Sequence, residues 1–133
     1  MMKKYLVLVS AMMLVFLGLA YADKGVNLVG KWFVEWEGGV NNYKGYLYIN
    51  KKISNTEYSG TLDLSYGEGK NIKEDAVITL KTPDSVVVNC MNPSQPGWNP
   101  DNFYLTLKEN IMFGNSKDAN GVVGKKIYLK KVK

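Results

Sequence analysis

The chain of 133 residues reads as all-β: an eight-stranded antiparallel up-and-down β-barrel behind an N-terminal signal helix. Three observations predict this. Apolar and polar residues alternate with a period of two in eight stretches after residue 23, each bounded by Gly, Asn, Asp or Pro. No apolar stripe of helical spacing survives over a useful length in that region. The connections between stretches also alternate in length. In an up-and-down barrel alternate connections lie at opposite ends, so the chain describes a cup with a tight base and an open mouth.

Residues 1–22 are an address rather than part of the fold. Lys3 and Lys4 form a positive start, and 5–19 is apolar apart from Ser10 and Gly18. Ala20-Tyr21-Ala22 is a small-x-small site, followed by polar Asp23-Lys24. This three-part pattern is that of a secretory signal peptide. The apolar run is short for a bilayer span, which takes about 20 residues, so cleavage rather than retention is expected. Residues 23–133 then form a single barrel domain, periplasmic or secreted, with no membrane span after cleavage.

The first strand is expected over 28–37, with Trp32, Val34 and Trp36 on one face and Lys31, Phe33, Glu35 and Glu37 on the other. The second, 43–53, sets Leu47 and Ile49 against Tyr46 and Tyr48. The third, 57–66, alternates most cleanly, with Tyr58, Gly60, Leu62, Leu64 and Tyr66 together. The fourth, 72–81, turns Ala76, Ile78 and Leu80 inward, and the fifth, 85–90, aligns Val86, Val88 and Cys90. The sixth, 102–108, groups Phe103, Leu105 and Leu107, and the seventh, 111–115, groups Ile111 with Phe113. The eighth, 122–132, turns Val123, Ile127 and Leu129 inward. Short connections at 54–56, 82–84 and 109–110 mark the base; longer ones at 38–42, 67–71, 91–101 and 116–121 mark the mouth. Loops carried on a rigid scaffold are where binding concentrates.

Composition narrows the function classes. The formal charge is +5, and loss of Lys3 and Lys4 reduces it. There is no Arg, so the planar fork that grips phosphates and guanine edges is missing, and no nucleic-acid partner is expected. Lysines at 51–52, 125–126 and 130–131 read as solvated faces and edge protection, with a polyanion-binding surface as the alternative. Cys90 is the sole cysteine and cannot form an internal disulfide. It reads as a small buried hydrophobe, with a reactive or intermolecular thiol as the alternative. No His, nucleophile elbow, phosphate loop or metal-spaced cluster is present. Glu35 and Glu37 point to solvent, and adjacent Glu74 and Asp75 diverge across their strand, whereas acid–base work needs convergent groups. The expectation is a monomer with no enzymatic activity, no metal and no cofactor.

Leu28-Val29-Gly30-Lys31-Trp32 resembles the Gly-x-Trp signature that opens the first strand of lipocalins and related calycins. Asn110-Ile111-Met112-Phe113-Gly114, then Asp118-Ala119-Asn120-Gly121 and Gly124, look like the closing hairpin of small exported calycin-like proteins of unknown function. The resemblance implies that Trp32 closes the barrel base and that a basic residue from the end of the last strand packs across it. Lys131 shares parity with Ile127 and Leu129 and takes that place, where many members carry Arg. Gly30, Trp32 and Lys131 are thus the expected structural base. The chain is shorter than typical lipocalins, lacks their disulfides, and does not match the biotin-binding set of avidins, whose opening is similar.

This orientation selects Trp36, Tyr43, Tyr66, Trp98 and Phe103 as a ligand-binding set at the open end. Aromatic walls with a few polar groups are what small-molecule pockets are made of. Pro93, Pro96 and Pro100 stiffen the 91–101 loop by fixing φ, so it reads as a lid with Trp98 turned inward. The competing reading is that these rings fill the end of the core, because eight strands enclose little more than their own side chains. The function expected is binding of a small hydrophobic or amphipathic ligand at the mouth. The alternative is a protein-binding module of the cell envelope, for example a hydrolase inhibitor, using the 91–101 loop on a filled barrel.

Overall fold

The computed structural model describes residues 26–37, 43–67, 69–117 and 120–133. The expected signal segment and the 38–42 connection lie outside the described residues, as do Asp118 and Ala119 of the closing hairpin. Eight strands follow one another: β1 (Gly30–Trp36), β2 (Lys44–Lys52), β3 (Glu57–Ser65), β4 (Asn71–Thr82), β5 (Ser85–Met91), β6 (Asn102–Lys108), β7 (Ile111–Lys117) and β8 (Val123–Lys131). Each pairs antiparallel with the next, and β8 returns to β1, with Trp32 opposite Lys131 and Trp36 opposite Ile127. The barrel is closed. A sheet whose every strand is apolar on one face buries all those faces together by curling shut, and closure removes both exposed edges.

The predicted alternation holds through β1–β7, where Ile111 and Phe113 share the outer face, and one inward assignment changes, in β8. Met112 is the buried residue of β7; it pairs with Leu107 and Leu129, which both face the core. Val123 is 59% exposed rather than inward. The cause is an irregularity in the β7–β8 ladder: Asn115 pairs with Lys126 but Lys117 pairs with Val123. One extra residue in β8 flips its parity, since side chains alternate strictly along a regular strand.

The interior is a single packed cluster. Val34, Leu47, Leu62, Ile78, Val88, Phe103, Ile127 and Leu129 have essentially no solvent-accessible surface. A void large enough for water would expose its lining, so the bore between Trp32 and Phe103 is filled by its own side chains.

The base is built by a segment that alternation does not describe. Residues 26–29 are not part of β1 but cross beneath the barrel, burying Val26 and Leu28. The indole Nε1–H of Trp32 donates to Leu28 O at 2.9 Å, and the Tyr58 hydroxyl donates to Val26 O at 3.4 Å. Lys131 Nζ lies 5.7 Å from the Trp32 ring centroid and donates to Asn27 O at 3.1 Å. Gly30 permits this clasp. It has φ +148°, and a Cβ built there would sit 2.8 Å from Lys131 Cε.

Gly60 serves closure in another way. A Cβ on it would lie 1.9 Å from the carbonyl oxygen of Tyr48, and Gly45 and Gly114 approach neighbouring backbone as closely. The β2–β3 ladder shifts between Ile49 and Lys51, next to Gly60. A glycine beside a bulge is how a strand turns a barrel corner. Gly60→Ala is expected to cost at least about 1–3 kcal/mol through forced strand separation, read as a lower urea midpoint; an unchanged midpoint would contradict the close approach.

Candidate functional site

The end of the barrel opposite Trp32 collects the ends of β1, β3 and β5 and the starts of β2, β4 and β6. All five rings singled out from the sequence meet there in one contiguous cluster. Trp36 packs edge-on against Phe103 at 5.8 Å and against Tyr43 at 5.9 Å between centroids. Tyr43 lies 6.3 Å from Tyr66 and 6.2 Å from Trp98, and Tyr66 lies 5.1 Å from Trp98. Such tilted and edge-to-face pairs each add about 0.5–1.5 kcal/mol beyond area burial. Phe103 is fully buried beneath Trp36, and the other four rings are only partly buried. Among the described residues, the rings presented at the mouth are therefore those of Trp36, Tyr43, Tyr66 and Trp98.

The 92–101 loop is fastened to the β3–β4 side of the mouth. Ser94 N–H donates to Lys73 O at 2.8 Å, and Lys73 N–H returns a bond to Ser94 Oγ at 3.0 Å. The Tyr66 hydroxyl donates to Gln95 Oε1. Asn92 Nδ2 donates to Asp75 Oδ2 at 3.1 Å. A turn closed by Trp98 N–H on Gln95 O at 3.2 Å, with Gly97 at φ +82°, aims the Trp98 ring back over Tyr66.

Below this loop lies a polar pair that sequence reasoning missed. Glu74 shares parity with Ile72 and Ala76 and so enters the barrel, where it is 1% exposed. That parity was the available signal. Asp101 N–H donates to Glu74 Oε1 at 3.0 Å, while Glu74 Oε2 has no hydrogen-bond partner among the described residues. Asp101 is in turn held by Trp98 Nε1–H on its Oδ2 at 3.3 Å and by Cys90 N–H on its backbone oxygen at 3.0 Å. Burial first, then the side chain and charge of Asp101, push the Glu74 carboxyl up to about 9. The group is neutral at pH 7, which removes a buried charge that no cation among the described residues compensates.

Cys90 is buried beside this pair. Burial, then the Glu74 and Asp101 carboxyls, whose ionised forms oppose a thiolate, push its thiol well above the ordinary range. The thiolate is the reactive form, so a thiol reagent at pH 8 is expected to modify Cys90 only at the rate of unfolding. Rapid labelling of the folded protein would contradict this burial. Gly30, Trp32 and Lys131 lie together at the opposite end of the barrel and take no part in the mouth.

The chain matches no known family description and no curated protein. Its fold is similar to solved structures of designed proteins. A redesigned β-barrel aligns with a TM-score of 0.64 at 19% identity, covering 80% of this chain and 92% of the other. A de novo designed fluorescence-activating β-barrel aligns with a TM-score of 0.52 at 11% identity, covering 79% of this chain and 94% of the other. At such identities the likeness is one of architecture: the chain is an eight-stranded antiparallel β-barrel.

Proposed function

We propose that the protein is an exported, calycin-like binding module that holds a small amphipathic ligand against the aromatic rim of its mouth, without catalysis. The observation that carries this reading is the contiguous set of Trp36, Tyr43, Tyr66 and Trp98, partly exposed over a core that leaves no room inside. The ligand lies across the end of the barrel and not down its bore. Flat rings supply contact area at little conformational cost, and the Gln95 amide and the loop backbone supply polar contacts.

Native mass spectrometry of the protein isolated from the cells that make it tests this. A bound small molecule is expected, and Trp98→Ala, checked for folding by circular dichroism, is expected to lose it. Protein that is consistently empty would sink the reading. A second reading has its own support: the 92–101 loop is tied down by both backbone and side-chain bonds, which makes a rigid surface suited to an envelope protein. Empty barrel together with a stoichiometric protein partner that is lost on altering this loop would favour it.

A further inference from the structure

The outer face of β6, β7 and β8 differs from an ordinary solvent face. Two rows of cross-strand neighbours cross it, Thr106–Phe113–Tyr128 and Tyr104–Asn115–Lys126. Phe113 is 40% exposed and Tyr128 39%. With Thr106, Gly114, Asn115 and Lys126 they wall an open groove of about 360 Å³. The three strands contain no Asp or Glu, and Lys108, Lys117 and Lys130 surround the groove; Glu35 of β1, opposite Tyr128, borders it with a carboxylate, so the lysines are in excess and not alone. Lys117 Nζ stands 4.2 Å over the Tyr104 ring. Clustered rings on an outer face mark an interaction site, and the unbalanced lysines define the sign of what it meets.

A second copy seated face to face would bring lysine against lysine, which opposes self-association. A bilayer-facing patch would be apolar throughout; Ile111 is 46% exposed on this face but lies between Lys108 and Lys130, and Phe113 and Tyr128 share their groove with the Thr106 hydroxyl and the Asn115 amide. Asn115 Nδ2 donates to Gly124 O at 3.4 Å, which leaves its carbonyl oxygen to accept. Rings for stacking, neutral groups for hydroxyls and an ammonium for a carboxylate are together the requirements of an acidic sugar. We propose that this groove binds an acidic oligosaccharide. Pyranose C–H faces stack on Phe113 and Tyr128, hydroxyls meet Thr106 and Asn115, and a carboxylate meets Lys126.

Calorimetric titration at low salt with a galacturonic acid hexamer tests this, alongside a neutral galactose hexamer, polyphosphate and phosphatidylglycerol-containing vesicles. Saturable binding of the acidic hexamer is expected, weakened about tenfold or more, roughly 1.4 kcal/mol, by Tyr128→Ala and separately by Lys126→Gln. Salt is expected to weaken it, and Trp98→Ala to leave it unchanged. Both altered residues are exposed, and thermal midpoints matching the parent confirm that the variants fold. Three results would overturn the proposal: no binding of the acidic hexamer at millimolar concentration, polyphosphate binding as well with no loss in Tyr128→Ala, or binding of vesicles alone.

Discussion

Replacing Trp32 by alanine is expected to cost about 3–5 kcal/mol of folding stability, the usual penalty for emptying a large buried aromatic site. Trp32 is held by Leu28 O at its indole nitrogen and by Lys131 across its ring. Its loss leaves three things unmade: the packing of the ring itself, the bond to Leu28 O, and the seat of the segment that closes the base. The neighbours cannot collapse into the gap, because β1 is fixed by ladders on both sides. A stability of the order of 5–15 kcal/mol makes this a large fraction of the total. Urea unfolding gives the value directly. A loss under about 1 kcal/mol would show that the base is held by something other than the Trp32 clasp.

The pH dependence of stability is expected to be governed by Glu74. In the folded barrel its carboxyl keeps its proton up to about 9, whereas in the unfolded chain it releases it near 4.3. Between these values the folded state binds more protons, so stability falls as pH rises, by at most about 1.4 kcal/mol per pH unit, and levels off above the folded value. Glu74→Gln retains an amide that can face the Asp101 carboxylate and has no proton to lose. Its stability is expected to be flat across pH 5–9 where the parent declines. A parent curve that is flat or rising over this window would contradict a neutral buried carboxyl. Because Asp101 links Glu74 to Trp98, the fluorescence of Trp98 in the folded protein is expected to change as pH passes about 9, where the carboxyl loses its proton.

Much of the architecture is legible in the chain because alternation has a strict period and one face is always apolar. β1 to β6 lie within two residues of their expected bounds for that reason. The rings of the mouth are legible too: loop-length alternation orients the barrel, and orientation alone gathers residues 36, 43, 66, 98 and 103. What alternation does not carry is the irregular part. Val26 and Leu28 form the floor through bonds from Trp32 and Tyr58, which no periodicity announces. The extra residue in β8 that turns Val123 outward follows from ladder geometry, not from residue type. Glu74 obeys the inward parity of its strand, and its charge in the sequence conceals that it enters the core as a neutral acid.

Binding on the rim of a filled barrel leaves the interior side chains undisturbed. The most direct measurement is a nuclear magnetic resonance titration with the amphipathic probe anilinonaphthalene sulfonate. Shifts are expected at Trp36, Tyr43, Tyr66 and Trp98 while the Trp32 indole and the methyls of Leu62 and Ile78 stay fixed. Shifts of those interior methyls, or no saturable change at the four rim rings, would contradict it.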